Sequence, residues 1–193
     1  TAEVTPHHLT MDEGWVIGRQ GGQSHYSPLT RDAYDTNTKV NPPLRTQKDL
    51  EALIIGLRDG VIDAVATDHA PHAIADKFLT YDDASFGISG LETAVGMLMG
   101  LVHKGELTLE VLVERLTSGP ARVLGAEYHS LETLRKGTTA DMVLLDPERE
   151  WVVRSSYFAS KGKNTPLEGM EMRGGVVATF VGGRLVHSIK SNS

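Results

Sequence analysis

The chain has 193 residues, with 19 basic against 25 acidic side chains, a net charge of −6 and no cysteine. An acidic balance without any basic cluster argues against a nucleic-acid-binding surface. The missing thiols exclude disulfides and thiolate metal sites, so any metal must be held by imidazole and carboxylate. No apolar run approaches the roughly 18 residues of a membrane helix, and no signal-peptide pattern is present. The expected setting is the cytoplasm, with neither membrane nor nucleic acid as partner.

In chain order, Val4-Thr5-Pro6-His7-His8-Leu9 first runs from a short apolar stretch into two histidines. Residues 10–38, rich in Gly, Ser, Asp, Thr and Gln, read as a long loop. In Lys39 to Arg45 two prolines fix an extended backbone that presents Asn41 rigidly. Thr46 and Asp49 form a capping-box pattern, and Leu50, Leu53, Ile54 and Leu57 follow at helical spacing until Gly60.

Ile62 to Thr67 is β-prone and almost free of polar groups, as expected of a parallel strand covered on both faces. At its end Asp68, His69 and His72 arrive together. At the C-terminal end of a barrel strand this is where catalytic groups sit, so Asp68 reads as a metal ligand or general base. Equally, Asp68 caps a following helix and the histidines are ordinary loop residues. Ala73 to Ser85 reads either as a lid or as a plain solvated loop.

Leu91 to Lys104 predicts a helix with Leu91, Val95, Leu98, Met99 and Val102 on one face, stopped by Gly105. Thr108 caps a further helix whose Leu109, Leu112, Val113 and Leu116 point one way, ending near Gly119-Pro120. From Asp141 the period changes to two: Met142 to Leu145, Trp151 to Val153, and Val176 to Val181 paired with Arg184 to Ile189 across Gly182-Gly183, a pair suited to a tight primed turn. A βα module over 1–138 is therefore followed by a β-rich segment over 139–193.

The set TAEVTPHHL, KVNPPLRT, AVATDHAPH and ASFGISGLETA, continued by SGPARVLG, GTTADMVLLDPE and KNTPLEGMEMRGGVVATFVGGRLV, resembles the C-terminal half of the bacterial-type dihydroorotases of the amidohydrolase superfamily. Hydantoinases and dihydropyrimidinases share the layout but usually carry a Cys-Pro-Gln-Tyr type segment where this chain has Thr5, Pro6, His7 and His8; allantoinase is the nearest rival. The resemblance implies an α/β fold: the C-terminal part of a metal-dependent (β/α)8 TIM barrel plus part of a small β-sandwich domain. A complete barrel needs about 250 residues, so the chain is expected to be a fragment completed by the N-terminal half of the same polypeptide. The terminal hairpin then exposes strand edges, an aggregation liability.

The implied activity is reversible cyclisation of N-carbamoyl-L-aspartate to L-dihydroorotate in pyrimidine biosynthesis, with one or two zinc ions. The resemblance makes Asp68 a zinc ligand and the proton shuttle between metal-bound hydroxide and amide nitrogen. It makes Asn41, His72, Phe86 and Gly87 substrate-binding, the last two through the backbone. His7 and His8 are given a supporting or packing role, His69 packs beneath the site, and His25, His103, His129 and His187 stand at the surface. Arg45 is expected to pair with a nearby acid. The family's other metal ligands would lie upstream of Thr1, and no His-x-His substitutes for them, so the chain alone is expected to be inactive and to bind zinc weakly. Alternatives are a non-catalytic dihydroorotase-like subunit supporting aspartate carbamoyltransferase, or an allantoinase- or hydantoinase-type cyclic amidohydrolase. A homodimer is also left open.

Overall fold

The structure, a computed structural model, describes residues 1–18 and 32–189. Residues 19–31 of the expected loop over 10–38, with His25, fall outside these residues, as does the side chain of His129.

The chain opens with strand β1, Glu3–Val4, which pairs in parallel with β2, Ala64–Val65. Flanking bonds from Asp63 N to Ala2 O (2.9 Å) and from Ala66 N to Val4 O (3.0 Å) carry the pairing beyond the regular pair. The expected strand from Ile62 to Thr67 is thus shorter in its regular part, because β1 offers only two residues before the chain turns. Pro6, with its fixed φ and no N–H, is suited to a first helical position. Thr5 caps the short helix α1, Pro6–Thr10, by accepting from His8 N.

Helix α2, Gln47–Arg58, starts at the expected capping box, Thr46 and Asp49 each accepting from the other's backbone. Its Leu50, Ile54 and Leu57 are buried. After β2 the parallel contact resumes as a single bridge between His69 and Ile88. The segment between them contains a short helix, α3, Ile74–Lys77.

Helix α4 spans Ala94–His103, starting later than expected. Leu91 is exposed and belongs to a turn, where its N–H bonds the His69 ring. Helix α5, Leu109–Leu116, is capped by Thr108 as expected, but Val113 faces outward. Gly119-Pro120 does not end the helical region. After a break at Thr117 it sits in the first turn of α6, Ser118–Leu124, where a proline is tolerated. A Cβ on Gly119 would lie 2.3 Å from Asp63 O, so glycine lets α6 approach the β2 backbone closely.

The last module is a three-stranded antiparallel sheet in the order β3, Met142–Val152; β4, Glu171–Val181; β5, Arg184–Ser188. The two short strands expected within 142–153 are one strand with register shifts at Leu144/Leu145 and Asp146/Glu150. The hairpin is as expected: Val181 pairs with Arg184, and both Gly182 (φ 57°) and Gly183 (φ 76°) are left-handed, as a type I′ turn requires. The side chains of β5 are exposed throughout.

Two apolar clusters meet along α4. Val4, Leu9, Leu57, Val65, Leu98 and Leu112 form the first. Met11, Val40, Ile88, Met97, Leu167 and Met172 belong to the second, which joins the βα module to the sheet. Gly96 permits that contact, because a Cβ there would stand 2.6 Å from Met172 Sδ and 2.9 Å from Trp151. Among the described residues no closed barrel forms.

Candidate active site

The end of β2 is the rim of the parallel pair. Asp68 follows it with φ 47°, a left-handed backbone uncommon for a residue with a side chain. Its carboxylate is exposed and makes no hydrogen bond among the described residues. No helix follows directly for Asp68 to cap; α3 begins at Ile74, and its first-turn N–H bonds run within 73–76.

From there the chain folds back on residues 86–89. His72 Nε2 lies 2.8 Å from Phe86 O. A carbonyl can only accept, so Nε2 carries the proton and Nδ1 is the ring nitrogen left for another partner. Gly87 has φ +120°, and a Cβ there would lie 2.4 Å from Ala70 Cβ and 3.6 Å from His72 Nε2. Gly87 N donates to Lys39 O (2.8 Å), which ties the strip ending in Asn41 to the same cluster. The structure therefore joins His72, Phe86 and Gly87 directly and Asn41 through Lys39. It places the exposed Asp68 four residues before His72 on the same loop.

Three of the four main-chain polar groups of Phe86 and Gly87 are occupied: Phe86 O by His72, Gly87 N by Lys39, and Gly87 O by Lys77 and Asn164 (3.1 Å each). Phe86 N–H has no partner among the described residues.

Sequence reasoning missed the residue that holds this cluster together. Asn164 is buried, and its Nδ2 donates to Ala70 O (2.9 Å) and Gly87 O (3.1 Å). Its Oδ1 accepts from His72 N (2.9 Å) and Ser89 Oγ (2.8 Å), and its own carbonyl accepts from Ser89 N (2.8 Å). One amide thus fixes the loop after β2 against the segment after Phe86. The available signal was an asparagine in the apolar-flanked run KNTPLEG, which is weak without its contacts. Gly162 supports the same approach, since a Cβ there would stand 2.5 Å from Pro71 Cβ.

The other histidines divide by environment. His8 bridges Thr5 Oγ1 (Nδ1, 2.6 Å) and Pro42 O (Nε2, 2.9 Å), so it pins the residue next to Asn41. His7 is buried against Thr67, Met97 and Leu167 around a cavity of about 10 Å3, and its Nε2 has no partner among the described residues. Burial, helped by the neighbouring His8, pulls its pKa down to about 3. It is a neutral ring. His69 Nδ1 accepts from Leu91 N (3.2 Å). His103 and His187 are exposed, the former donating to Pro147 O (2.9 Å). Arg45 Nε stands 3.9 Å from Asp49 Oδ2, an exposed pair.

A protein zinc site takes at least three protein donors. Among the described residues no three His, Cys, Asp or Glu come close enough to hold a metal ion. The described residues do not fit a metal by themselves.

The amidohydrolase family model matches residues 21–186. The chain belongs to the amidohydrolase family. Within it, the chain is 48% identical over 186 residues to the dihydroorotase of Caldanaerobacter subterraneus subsp. tengcongensis, covering 96% of this chain and 39% of the relative. It is 44% identical over 187 residues to that of Syntrophus aciditrophicus, covering 97% and 40%. The expected resemblance to dihydroorotases is thus borne out, and the chain spans about two-fifths of these relatives. Among solved structures, L-hydantoinase (dihydropyrimidinase) from Arthrobacter aurescens superposes with a TM-score of 0.81 at 33% identity, covering 96% of this chain and 39% of that one. Dihydropyrimidinase from Brevibacillus agri, at 22% identity and a TM-score of 0.79 over the same shares, supports the fold.

Proposed function

We propose that this chain is the C-terminal part of a zinc-dependent dihydroorotase, which interconverts N-carbamoyl-L-aspartate and L-dihydroorotate. Residues 1–138 supply βα units of its barrel and residues 139–193 part of its small β domain. The observation that carries the reading is the 44–48% identity to dihydroorotases over nearly the whole chain.

Opening or closing an unactivated cyclic amide needs a proton moved between the attacking water and the amide nitrogen. Asp68 takes that role: its carboxylate is exposed at the rim and unencumbered by other bonds. Asn41, fixed from behind by His8 through Pro42, donates to and accepts from the ring amide. His72 meets the substrate with Nδ1, since Nε2–H is committed to Phe86 O, and its cationic form donates to the substrate carboxylate. At Phe86–Gly87 the Phe86 N–H is the group left to bind substrate. Zinc, when bound, would lower the pKa of its water and polarise the carbonyl. Its other ligands would come from the length of the relatives that this chain does not span. The chain alone is then inactive and holds zinc weakly.

The L-hydantoinase match at 33% identity favours, as a second reading, a cyclic amidohydrolase acting on a neighbouring ring. Assaying the assembled enzyme with dihydroorotate, hydantoin, dihydrouracil and allantoin separates the two. Preference for dihydroorotate supports the first reading, and preference for a ring without a carboxylate overturns it.

A further inference from the structure

Two lysines behind the site are buried, Lys39 at 9% exposure and Lys77 at 7%. Neither ammonium is used by the chemistry above. Lys39 Nζ donates to Asp82 O (2.7 Å) and Ala84 O (2.8 Å) and sits 4.4 Å from the centre of the Phe86 ring. Lys77 Nζ donates to Ser85 O (2.7 Å) and Gly87 O (3.1 Å). Between them they gather four carbonyls within 82–87, ending on the Gly87 carbonyl that Asn164 also binds. Two main-chain bonds and one from a side chain close the arrangement: Gly87 N to Lys39 O (2.8 Å), Ser85 N to Asp76 O (3.0 Å), and Thr36 Oγ1 to Lys77 O (2.6 Å).

Such a pair is not what stability alone would select. Burial disfavours the charged Lys77 strongly enough to bring its pKa to about 8, with Asp35 opposing and Lys39 adding to the fall. Replacing buried charge by apolar volume is often neutral or stabilising. What the ammoniums supply is a fixed path for a loop that has little apolar packing of its own, with Ile74, Phe78 and Leu79 facing outward.

We propose that Lys39 and Lys77 are positioning residues, a paired latch that sets the Phe86–Gly87 backbone, and with it the His72 ring, in the geometry that receives substrate. The proposal rests on the reading of Phe86, Gly87 and His72 as substrate contacts. Bidentate capture of carbonyls by a charged donor is stronger than neutral bonding, so a methionine, similar in length but without donors, releases the loop while keeping its apolar stem.

The test compares wild type with Lys77→Met and Lys39→Met. Amide exchange of Ser85 and Gly87 is read on the 193-residue chain, and KM and kcat for dihydroorotate on the assembled enzyme. Expected are a melting temperature lowered by a few degrees at most, protection at Ser85 and Gly87 reduced at least about tenfold, since each variant loses two charge-assisted bonds, and KM raised with kcat nearly unaltered. Should Lys77→Met not fold, Lys77→Gln, with an N–H donor on a shorter stem, takes its place. Intact protection in both variants would overturn the latch. Lost protection with unchanged KM would overturn the positioning role and the reading of Phe86–Gly87 as a substrate contact, while leaving the loop contacts themselves standing.

Discussion

Removing the Asn164 side chain tests how the rim is held. Asn164→Ala deletes two donations, to Ala70 O and Gly87 O, and the acceptor of His72 N and Ser89 Oγ. Gly87 O keeps Lys77 and Ser89 Oγ keeps Gly162 O, but Ala70 O and His72 N lose their side-chain partner. At about 1 kcal/mol net for each lost bond, and more for a buried group left unpaired, the loss is about 3–4 kcal/mol. For a chain of this size that corresponds to about 10 °C in Tm. Asn164→Asp is the sharper variant: it keeps the shape and the acceptor but turns a carboxylate oxygen toward two carbonyls, and it should cost at least as much. Urea unfolding gives the free energy, and amide exchange at His72 reports the local release. A loss below about 1 kcal/mol in both variants, with His72 still protected, would refute the clamp.

Two further outcomes follow from the same geometry. His7, with a folded pKa of about 3 against 6.5 when unfolded, binds its proton more readily in the unfolded chain. Its contribution is fully present above pH 6.5 and is lost as pH falls toward 3, with a slope of up to about 1.4 kcal/mol per unit. Urea midpoints at a series of pH values should show that slope in wild type and not in His7→Gln; equal slopes would exclude His7 as its source. Gly87→Ala combines φ +120° with a Cβ 2.4 Å from Ala70 Cβ, so a loss of about 2 kcal/mol or more is expected. A thermal melt indistinguishable from wild type would contradict the close approach.

Local signals were legible where the chemistry is local. Thr46 and Asp49 announced α2, and Gly182-Gly183 announced the hairpin, because capping and left-handed turns are written in adjacent residues. The rim position of Asp68 could be read from the apolar run before it. Helix α1 was missed although Thr5 and Pro6 carry its start signals; five residues are too few to show a period. Leu91 and Val113 share helical spacing with buried neighbours yet are exposed, because spacing gives a helical face but not its ends or its neighbours.

The clamp and the latch were out of reach for a different reason. Asn164 bonds residues 92 and 94 positions away, and nothing in its neighbours marks it. Lysine is rarely buried, and nothing adjacent to Lys39 or Lys77 marks them; only the folded loop brings carbonyls to them. The change from helical spacing to a period of two near Asp141 did anticipate the strands that begin at Met142. It did not anticipate that the later segment reaches back, through Gly162 and Asn164, to shape the loop after β2.

The most direct test is reconstitution. The 193-residue chain is mixed with the N-terminal portion of a dihydroorotase relative in the presence of zinc, and dihydroorotate hydrolysis is followed for the chain alone, the mixture, and the mixture carrying Asp68→Asn. The account predicts no turnover by the chain alone, turnover in the mixture, and its loss on removing the Asp68 carboxylate. Turnover by the chain alone, or full activity with Asp68→Asn, would contradict it.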